Sequence, residues 1–188
     1  LAVGPGIGID NDDWQKSKDY LMAFGGLLIL DADALNRISE SKLGSNFFLE
    51  RKFKTWITPH SKEFGRLFPN IKSKTNVELA RDAAKEFNIS ILFKGANSIV
   101  ADNKKAWQLY GTDPQTARAG LGDLLTGFIA GSSAIDLTFC RNIETEFFVK
   151  YVLLHSFAAS KCEKGSNASA ICDELSKLMR KKKMRQIS

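Results

Sequence analysis

Short apolar runs alternate with longer amphipathic stretches along most of the chain. The runs over residues 1–4, 27–30, 55–58 and 89–94 have the length and composition of buried strands. A chain that alternates strands with helices in this way usually forms a mostly parallel sheet covered by helices. The pattern therefore predicts an α/β fold.

The stretches between and after these runs have helical spacing. We predict helices over residues 13–24, 61–68, 75–88, 144–163 and 168–182, and a further apolar helix that begins near residue 120. Residues 98–101 and 106–110 have the pattern of two more strands. Because they follow residues 89–94 so closely, we expect the sheet to become antiparallel at one edge.

The size and composition of the chain restrict the class of protein. With 188 residues, of which 44% are hydrophobic and 26% charged, it has the composition of one globular domain. This balance excludes a disordered, collagen-like or disulfide-framework protein. No apolar run reaches the ~20 uninterrupted residues of a membrane span. We expect a single domain over residues 1–188 with no membrane partner.

The net charge of +6 comes from the end of the chain. Residues 176–188 hold six Lys and Arg and no Asp or Glu, so the remainder has 21 basic and 21 acidic residues. A nucleic-acid-binding domain usually spreads its basic residues over one face. We expect the basic tail, residues 177–188, to be solvated, and we do not expect a nucleic-acid partner; RNA binding through the tail is the alternative.

The cysteines and the chain start bear on the cellular compartment. Three cysteines without CxxC spacing fit reduced thiols, and no signal peptide opens the chain, so a cytoplasmic location is expected. A zinc site from His155, Cys162 and Cys172 would lack the usual close ligand pairs, so no metal site is predicted. Within its apolar helix, His155 fits a core histidine with satisfied hydrogen bonds. Because Leu1 already reads as part of a strand, we expect the domain to be incomplete at its N-terminus.

A glycine-rich segment before the apolar helix is the strongest local signal for chemistry. Gly120 and Gly122 would let backbone N–H groups point at one anion, and the helix dipole would add partial positive charge there. Asp123, in the first turn, would lie beside that anion and could accept a proton from an attacking hydroxyl. Alternatively, Asp123 only caps the helix.

Two further loops suit close contact with a phosphate or nucleotide. Residues 4–8 read Gly-Pro-Gly-Ile-Gly after a strand, which fits either a close-approach loop or a tight turn, and lacks the dinucleotide fingerprint. A second loop offers a cation, bare backbone and a hydroxyl through Lys94, Gly95, Ala96, Asn97 and Ser98. It fits phosphate binding or an ordinary hairpin.

Polar residues also follow the two middle strands of the predicted parallel sheet. His60 comes after Pro59 at a strand end, where open α/β sheets place ligands, although a lone histidine can instead cap a helix or bridge loops. Asp31 and Asp33 could hold a metal or a hydroxyl, or cap the next helix. Because every candidate lies at a strand end or a helix start, we predict one shared crevice.

The ordered set of motifs resembles the NAD(P)H-hydrate dehydratase family. The resemblance covers most of residues 1–160 and rests on the order of the segments more than on any one of them. In chain order these are Gly4-Pro5-Gly6-Ile7-Gly8, Leu30-Asp31-Ala32-Asp33-Ala34-Leu35-Asn36, Thr58-Pro59-His60 with Glu63-Phe64-Gly65-Arg66-Leu67, Phe93-Lys94-Gly95-Ala96 with Ile99-Val100-Ala101-Asp102, and Gly120-Leu121-Gly122-Asp123-Leu124-Leu125-Thr126-Gly127.

The resemblance implies a three-layer ribokinase-like fold and a metabolite-repair reaction. Such enzymes use ADP or ATP, with Mg²⁺ on the nucleotide, to dehydrate the 6-hydroxy form of NADH or NADPH back to the cofactor. By the same resemblance, His60 and one of Gly6 or Gly8 would contact the hydrated nucleotide, and Asp123 would lie at the reacting hydroxyl. The adenine nucleotide would be held by residues 94–98 together with Gly120 and Gly122. The family also implies a homo-oligomer.

Two other readings stay open. A kinase of the same fold that acts on thiamine precursors would use the same Asp123 and glycine segment but stop at a phosphorylated product. A drifted chain could retain nucleotide binding without catalysis.

Overall fold

The computed structural model describes residues 1–8, 14–110, 120–163 and 165–184. The chain divides into two units, Leu1–Tyr110 and Gly111–Ser188. Among the described residues, all strands belong to the first unit. The expectation of a single domain stays a prediction. In the part of the chain that the structure describes, no helix is long and apolar enough to cross a membrane.

The first unit is a sheet with connecting helices. Its strands are β1 (Ala2–Val3), β2 (Leu28–Leu30), β3 (Thr55–Ile57), β4 (Ser90–Phe93), β5 (Ile99–Ala101) and β6 (Ala106–Gln108). Its helices are α1 (Trp14–Ala23), α2 (Ala32–Glu40), α3 (Asn46–Glu50), α4 (Ser61–Leu67) and α5 (Asn76–Phe87). The strands lie side by side in chain order; β1 to β4 are parallel, and β5 and β6 are antiparallel.

The predicted elements and the antiparallel edge are confirmed, with small differences. The strand predicted over residues 106–110 ends at Gln108. α3 was not predicted, because five residues are too few to show helical periodicity. α2 was expected only as the helix that Asp31 or Asp33 could cap, without bounds. β2 begins one residue later than the strand predicted over residues 27–30, and α1 ends one residue before the predicted end at residue 24. Residues 111–119, where we expect a loop between the last strand and the apolar helix, lie outside the described residues.

The sheet is buried on both faces. Side chains of β2 to β5 that share one face pack with apolar residues from all five helices of this unit. The side chains on the other face, Ile29, Trp56, Leu92 and Val100, are also at most 1% exposed. Burial on both sides explains why these strands are continuously apolar rather than alternating. Each fully buried Leu, Ile or Phe contributes about 1.5–3 kcal/mol.

The second unit consists of three helices among its described residues. These are α6 (Leu121–Phe139), α7 (Thr145–Lys161) and α8 (Ala168–Met184). α6 is tied to α7 by Asp136, whose carboxylate accepts hydrogen bonds from Lys150 Nζ at 2.6 Å and from the Tyr151 hydroxyl at 2.8 Å. Burial, and then the bond to Asp136, raise the pKa of Tyr151.

His155 on α7 departs from the sequence interpretation. The expectation of a core histidine is right in burial, because the residue is 8% exposed. The expectation of satisfied hydrogen bonds is wrong for one atom, since Nε2 has no partner within the described parts of the chain. Burial lowers the pKa of His155 from 6.5 to about 4. An imidazole held this way is neutral at pH 7.

β1 and β2 approach closely at their carboxyl ends. Gly4 has a φ of +141°, and a Cβ there would lie 1.7 Å from the carbonyl oxygen of Asp31. The Asp31 amide donates to the Val3 carbonyl at 3.1 Å, which holds the two segments together. Only glycine fits at this position, for both reasons.

Gly4→Ala should therefore destabilise the first unit severely. We expect the free energy of unfolding to fall by about 3 kcal/mol or more, because the added methyl overlaps backbone atoms. Gly65→Ala on α4 is the matched control. Within the described parts of the chain, a Cβ at Gly65 has nothing within 4 Å, so that variant should gain about 0.5–1 kcal/mol. Denaturant unfolding measures both, and equal stabilities for the two variants would contradict the close approach.

His155 should make the protein less stable in mild acid. The unfolded chain protonates this side chain near pH 6.5, whereas the folded chain resists protonation down to about pH 4. Stability is therefore fully present above pH 6.5 and lost as the pH falls towards 4, by about 3 kcal/mol. In His155→Phe, denaturant unfolding between these pH values should show a loss smaller by that amount. The same acid dependence in both proteins would rule this out.

Candidate functional site

The first unit brings four of the predicted segments to one edge of its sheet. The glycine loop follows β1, Asp31 follows β2, His60 follows β3 and Lys94 follows β4. Because these strands are parallel, their carboxyl ends share an edge. His60 and Lys94 are paired there as a parallel bridge, and the Lys94 amide donates to the Pro59 carbonyl at 2.8 Å. This is the edge at which open α/β sheets bind ligands.

Asp31 is the buried anion of this edge. It occupies the N-cap position of α2, but its side chain makes no capping hydrogen bond. Its Oδ1 instead accepts a bond from Lys94 Nζ at 2.7 Å. The Asp31 side chain is 1% exposed and that of Lys94 is 24% exposed, so the cation is the member of the pair that reaches solvent. Of the roles left open for Asp31, side-chain capping is excluded.

Asp33 contacts the glycine loop. Its Oδ2 accepts a hydrogen bond from the Gly8 amide at 3.0 Å. Between the two aspartates, Ala32 has a φ of +46°, a left-handed conformation that costs a non-glycine residue on the order of 1 kcal/mol. On either side of Ala32, the Asp31 carboxylate binds Lys94 and the Asp33 carboxylate binds the Gly8 amide.

His60 combines a structural role with partial exposure. Its Nδ1 accepts hydrogen bonds from the amides of Lys62 and Glu63, and the Glu63 carboxylate accepts the His60 amide at 2.8 Å. These contacts form a capping box at the start of α4. An Nδ1 that accepts hydrogen bonds leaves the proton on Nε2, which lies 3.4 Å from the second Glu63 oxygen. The side chain is 47% exposed, so capping leaves it accessible.

The loop over residues 94–98 connects β4 to β5. Since these strands are antiparallel, the loop is a hairpin connection, one of the two interpretations left open. The Ser98 hydroxyl donates to the Gly95 carbonyl at 3.2 Å and closes the loop on itself. Gly95, Ala96 and Asn97 are exposed at its tip. A compact loop with an accessible backbone beside a lysine is compatible with phosphate binding as well.

The glycine segment of the second unit begins a helix as predicted. Gly120 is the N-cap residue of α6 and has a φ of +81°, a conformation that favours glycine. Asp123 is the third residue of the helix and is exposed. The alternative in which Asp123 is the helix cap is therefore wrong. Gly122 lies in the first turn, where helix N–H groups and the dipole favour an anion.

Metal ligands do not cluster in the described residues. Among them, no group of three or more His, Cys, Asp or Glu is placed to hold a metal ion. The metal role left open for Asp31 and Asp33 is thus unsupported within those residues. Cys140, Cys162 and Cys172 are free thiols.

Sequence reasoning missed the side chains of α2 and α4 that support the edge. The Arg37 Nε donates to the Gly8 carbonyl at 2.5 Å, and the Arg66 guanidinium donates to the Asn36 side chain at 2.7 Å. Arg37 carried a detectable signal, because it is a charged residue flanked by the core positions Leu35 and Ile38 of an amphipathic helix. The sequence holds no comparable signal for the bond between Arg66 and Asn36, because the two residues are 30 positions apart.

Comparison with known proteins identifies relatives along nearly the whole chain. The profile of a family described as NAD(P)H-hydrate dehydratase matches residues 1–181. The bifunctional NAD(P)H-hydrate repair enzyme Nnr of Synechocystis sp. is 34% identical over 132 residues, 70% of this chain and 24% of that protein. The enzyme of the same name from Gloeobacter violaceus is 38% identical over 150 residues, 77% of this chain and 27% of that protein. The chain spans about a quarter of the length of these relatives.

Solved structures share the fold. A ribokinase-like superfamily protein from Enterococcus faecalis superposes with a TM-score of 0.78 at 25% identity, covering 96% of this chain and 62% of that one. The ADP/ATP-dependent NAD(P)H-hydrate dehydratase from Bacillus subtilis, co-crystallized with ATP and Mg²⁺, has a TM-score of 0.72 at 24% identity, covering 96% and 63%. The predicted ribokinase-like α/β fold is confirmed. Since the family profile matches almost every residue, the chain belongs to the NAD(P)H-hydrate dehydratase family.

Proposed function

We propose that this chain catalyses the nucleotide-dependent dehydration of (S)-NAD(P)H hydrate back to NAD(P)H, a metabolite-repair reaction. The observation that carries the proposal is the gathering of the glycine loop, Asp31, His60 and Lys94 at one edge of the sheet in a chain of this family. An edge with a bare backbone, a histidine and a lysine offers partners for a ligand with an amide, hydroxyls and phosphates.

The hydrated nicotinamide nucleotide would bind at His60 and at Gly6 or Gly8. The proposed Nε2–H of His60 is a donor for a substrate oxygen, because Nδ1 is engaged in capping α4. A Cβ at Gly6 or Gly8 would meet none of the described residues within 4 Å, and both glycines are exposed. Bare backbone of this kind allows a ligand to approach closely.

The adenine nucleotide would be held by the hairpin loop and by the start of α6. Lys94, Gly95, Ala96, Asn97 and Ser98 would supply the first set of contacts, and the first-turn amides near Gly120 and Gly122 the second. Mg²⁺ would offset phosphate charge when bound.

Asp123 would act as the general base. It would accept the proton of the ring hydroxyl while that oxygen forms a bond to the terminal phosphorus of ADP or ATP and the phosphoanhydride bond breaks. The helix start would stabilise the charge on the transferred group. The ring nitrogen lone pair would then expel inorganic phosphate, and loss of a proton from the neighbouring carbon would restore the double bond. Phosphate leaves far more readily than hydroxide, which is why the reaction consumes nucleotide.

The proposal extends to compartment and assembly. Three free thiols support a reducing compartment, and we propose the cytoplasm. Large apolar side chains stand exposed on α6 and α7, with Phe139 83%, Leu153 50% and Phe157 48% accessible. Exposure of this kind supports the proposed homo-oligomer.

The direct test is recovery of reduced nicotinamide absorbance from the hydrated cofactor. The natural-length protein would be assayed with ADP, with ATP and without nucleotide, beside the Bacillus subtilis dehydratase as the positive control. Recovery that requires nucleotide supports the proposal. Phosphorylation of a thiamine-precursor alcohol without recovery would favour the kinase, and nucleotide binding without either product would favour a non-catalytic chain.

Asp123→Asn should abolish most of the turnover. Loss of the general base should reduce kcat by about 10²- to 10⁴-fold, with little change in Tm, because the side chain is exposed. Asp136→Asn is the matched control on the same helix. It removes the negative charge that Lys150 and Tyr151 bind, which weakens both bonds, so it should lower Tm and leave kcat within about twofold. Near-normal turnover in Asp123→Asn would exclude the base role.

Lys94→Met should weaken nucleotide binding and also destabilise the fold. Removing the cation takes the Lys94 ammonium away from the buried Asp31 carboxylate, at a cost of about 3 kcal/mol. The double variant Asp31→Asn/Lys94→Met removes that charge. Thermal unfolding should show its stability largely restored, while calorimetric titration with ADP and ATP should show affinity still lowered by about tenfold. Restored affinity in the double variant would mean that Lys94 serves only Asp31.

A further inference from the structure

Two side chains of α2 bind Gly8, the last residue of the glycine loop, one through its amide and the other through its carbonyl. The Gly8 amide donates to Asp33 Oδ2 at 3.0 Å, and the Gly8 carbonyl accepts from Arg37 Nε at 2.5 Å. Asp33 and Arg37 are one helical turn apart, so they lie on the same side of α2. We call these two contacts the Gly8 clamp.

The clamp is built on a fixed side chain. Arg37 is 5% exposed, and its guanidinium lies 5.3 Å from the ring centroid of Trp14 on α1. A buried arginine stacked on an aromatic ring has little rotamer freedom left to lose when it forms a hydrogen bond. The clamp therefore fixes the glycine loop to α2. Residues 6–8 of that loop are exposed, and among them only Ile7 has a bulky side chain.

We propose that Asp33 and Arg37 are positioning residues for the hydrated nicotinamide nucleotide, acting through Gly8. The inference rests on the proposed function, because it takes that ligand to contact the glycine loop. Both polar backbone groups of Gly8 are used within the protein, so Gly8 anchors the loop and Gly6 is assigned the ligand contact.

The clamp should affect one ligand and not the other. A loop that is already ordered loses less conformational entropy when the ligand binds. Removing a residue that anchors the loop should therefore lower the affinity for that ligand. The adenine nucleotide is proposed to bind at other segments. Loss of the clamp should therefore raise KM for the hydrated cofactor and spare KM for ADP or ATP.

Arg51 provides a matched control for Arg37. It is also 5% exposed, and it donates to the carbonyls of Leu21, Met22 and Gly26. Those carbonyls lie before β2, at the amino edge of the sheet. Arg51→Gln thus removes an equally buried arginine that binds backbone, away from the glycine loop.

The experiment compares Arg37→Gln, Arg37→Lys and Arg51→Gln in the natural-length protein. Arg37→Gln should raise KM for the hydrated cofactor by about tenfold, with kcat and nucleotide KM within about twofold. Arg37→Lys retains a cation and a donor and should recover part of the loss. Arg51→Gln should lower Tm without changing either KM. An unchanged KM in Arg37→Gln, or the same rise in Arg51→Gln, overturns the proposal.

Two variants of Asp33 test the clamp even if the Arg37→Gln variant misfolds. Asp33→Asn keeps an oxygen that accepts the Gly8 amide and should leave KM for the hydrated cofactor near normal, whereas Asp33→Ala should raise it by severalfold. Equal KM values for the two variants overturn the proposal.

Hydrogen exchange separates this inference from the proposed function. Followed by mass spectrometry in the absence of ligand, exchange over residues 1–8 should be faster in Arg37→Gln and Asp33→Ala than in the wild type or Arg51→Gln. Unchanged exchange overturns the clamp, whether or not the enzyme is active. A wild-type protein that shows no dehydration overturns the proposed function instead. In that case the exchange measurement still tests whether Asp33 and Arg37 order the glycine loop.

Discussion

A buried ion pair organises the carboxyl edge of the sheet. The Asp31 carboxylate, 1% exposed, lies 2.7 Å from the ammonium of Lys94, which is 63 residues later in the chain. A carboxylate so far from water is tolerated because it is paired; Asp31 follows β2, and its partner Lys94 follows β4. The pair therefore spans β3 and leaves the cation partly accessible, where an anionic ligand would meet it.

α2 connects this edge to its surroundings. Its N-cap residue Asp31 pairs with Lys94, and side chains within the helix contact the Gly8 amide, the Gly8 carbonyl and the Arg66 guanidinium of α4. The close contact of Gly4 with the Asp31 backbone completes the arrangement on the side of β1. A single short helix thus sets the relative positions of the segments that would hold the substrate, which is how a rigid element supports ligand-binding loops.

The ease of prediction differed between residues for physical reasons. The strands could be predicted because burial on both faces makes them continuously apolar, and α5 because its apolar residues fall on one face of the helix. His60 could be located at a strand end from Pro59 alone, but not its tautomer, which depends on the amides of Lys62 and Glu63. The sequence did not show that His155 Nε2 has no partner among the described residues, because a helical pattern indicates burial and not hydrogen bonding.

The sequence by itself determined the order of strands and helices, the antiparallel edge and the family, since periodicity, glycine placement and motif order are properties of the chain read in one dimension. Only the tertiary structure decided what the polar residues do. It paired Asp31 with Lys94 instead of the helix end, and directed Asp33 and Arg37 to Gly8. These are contacts between residues 25 or more positions apart, and a side chain's partner at that separation follows from packing geometry, which no local pattern encodes.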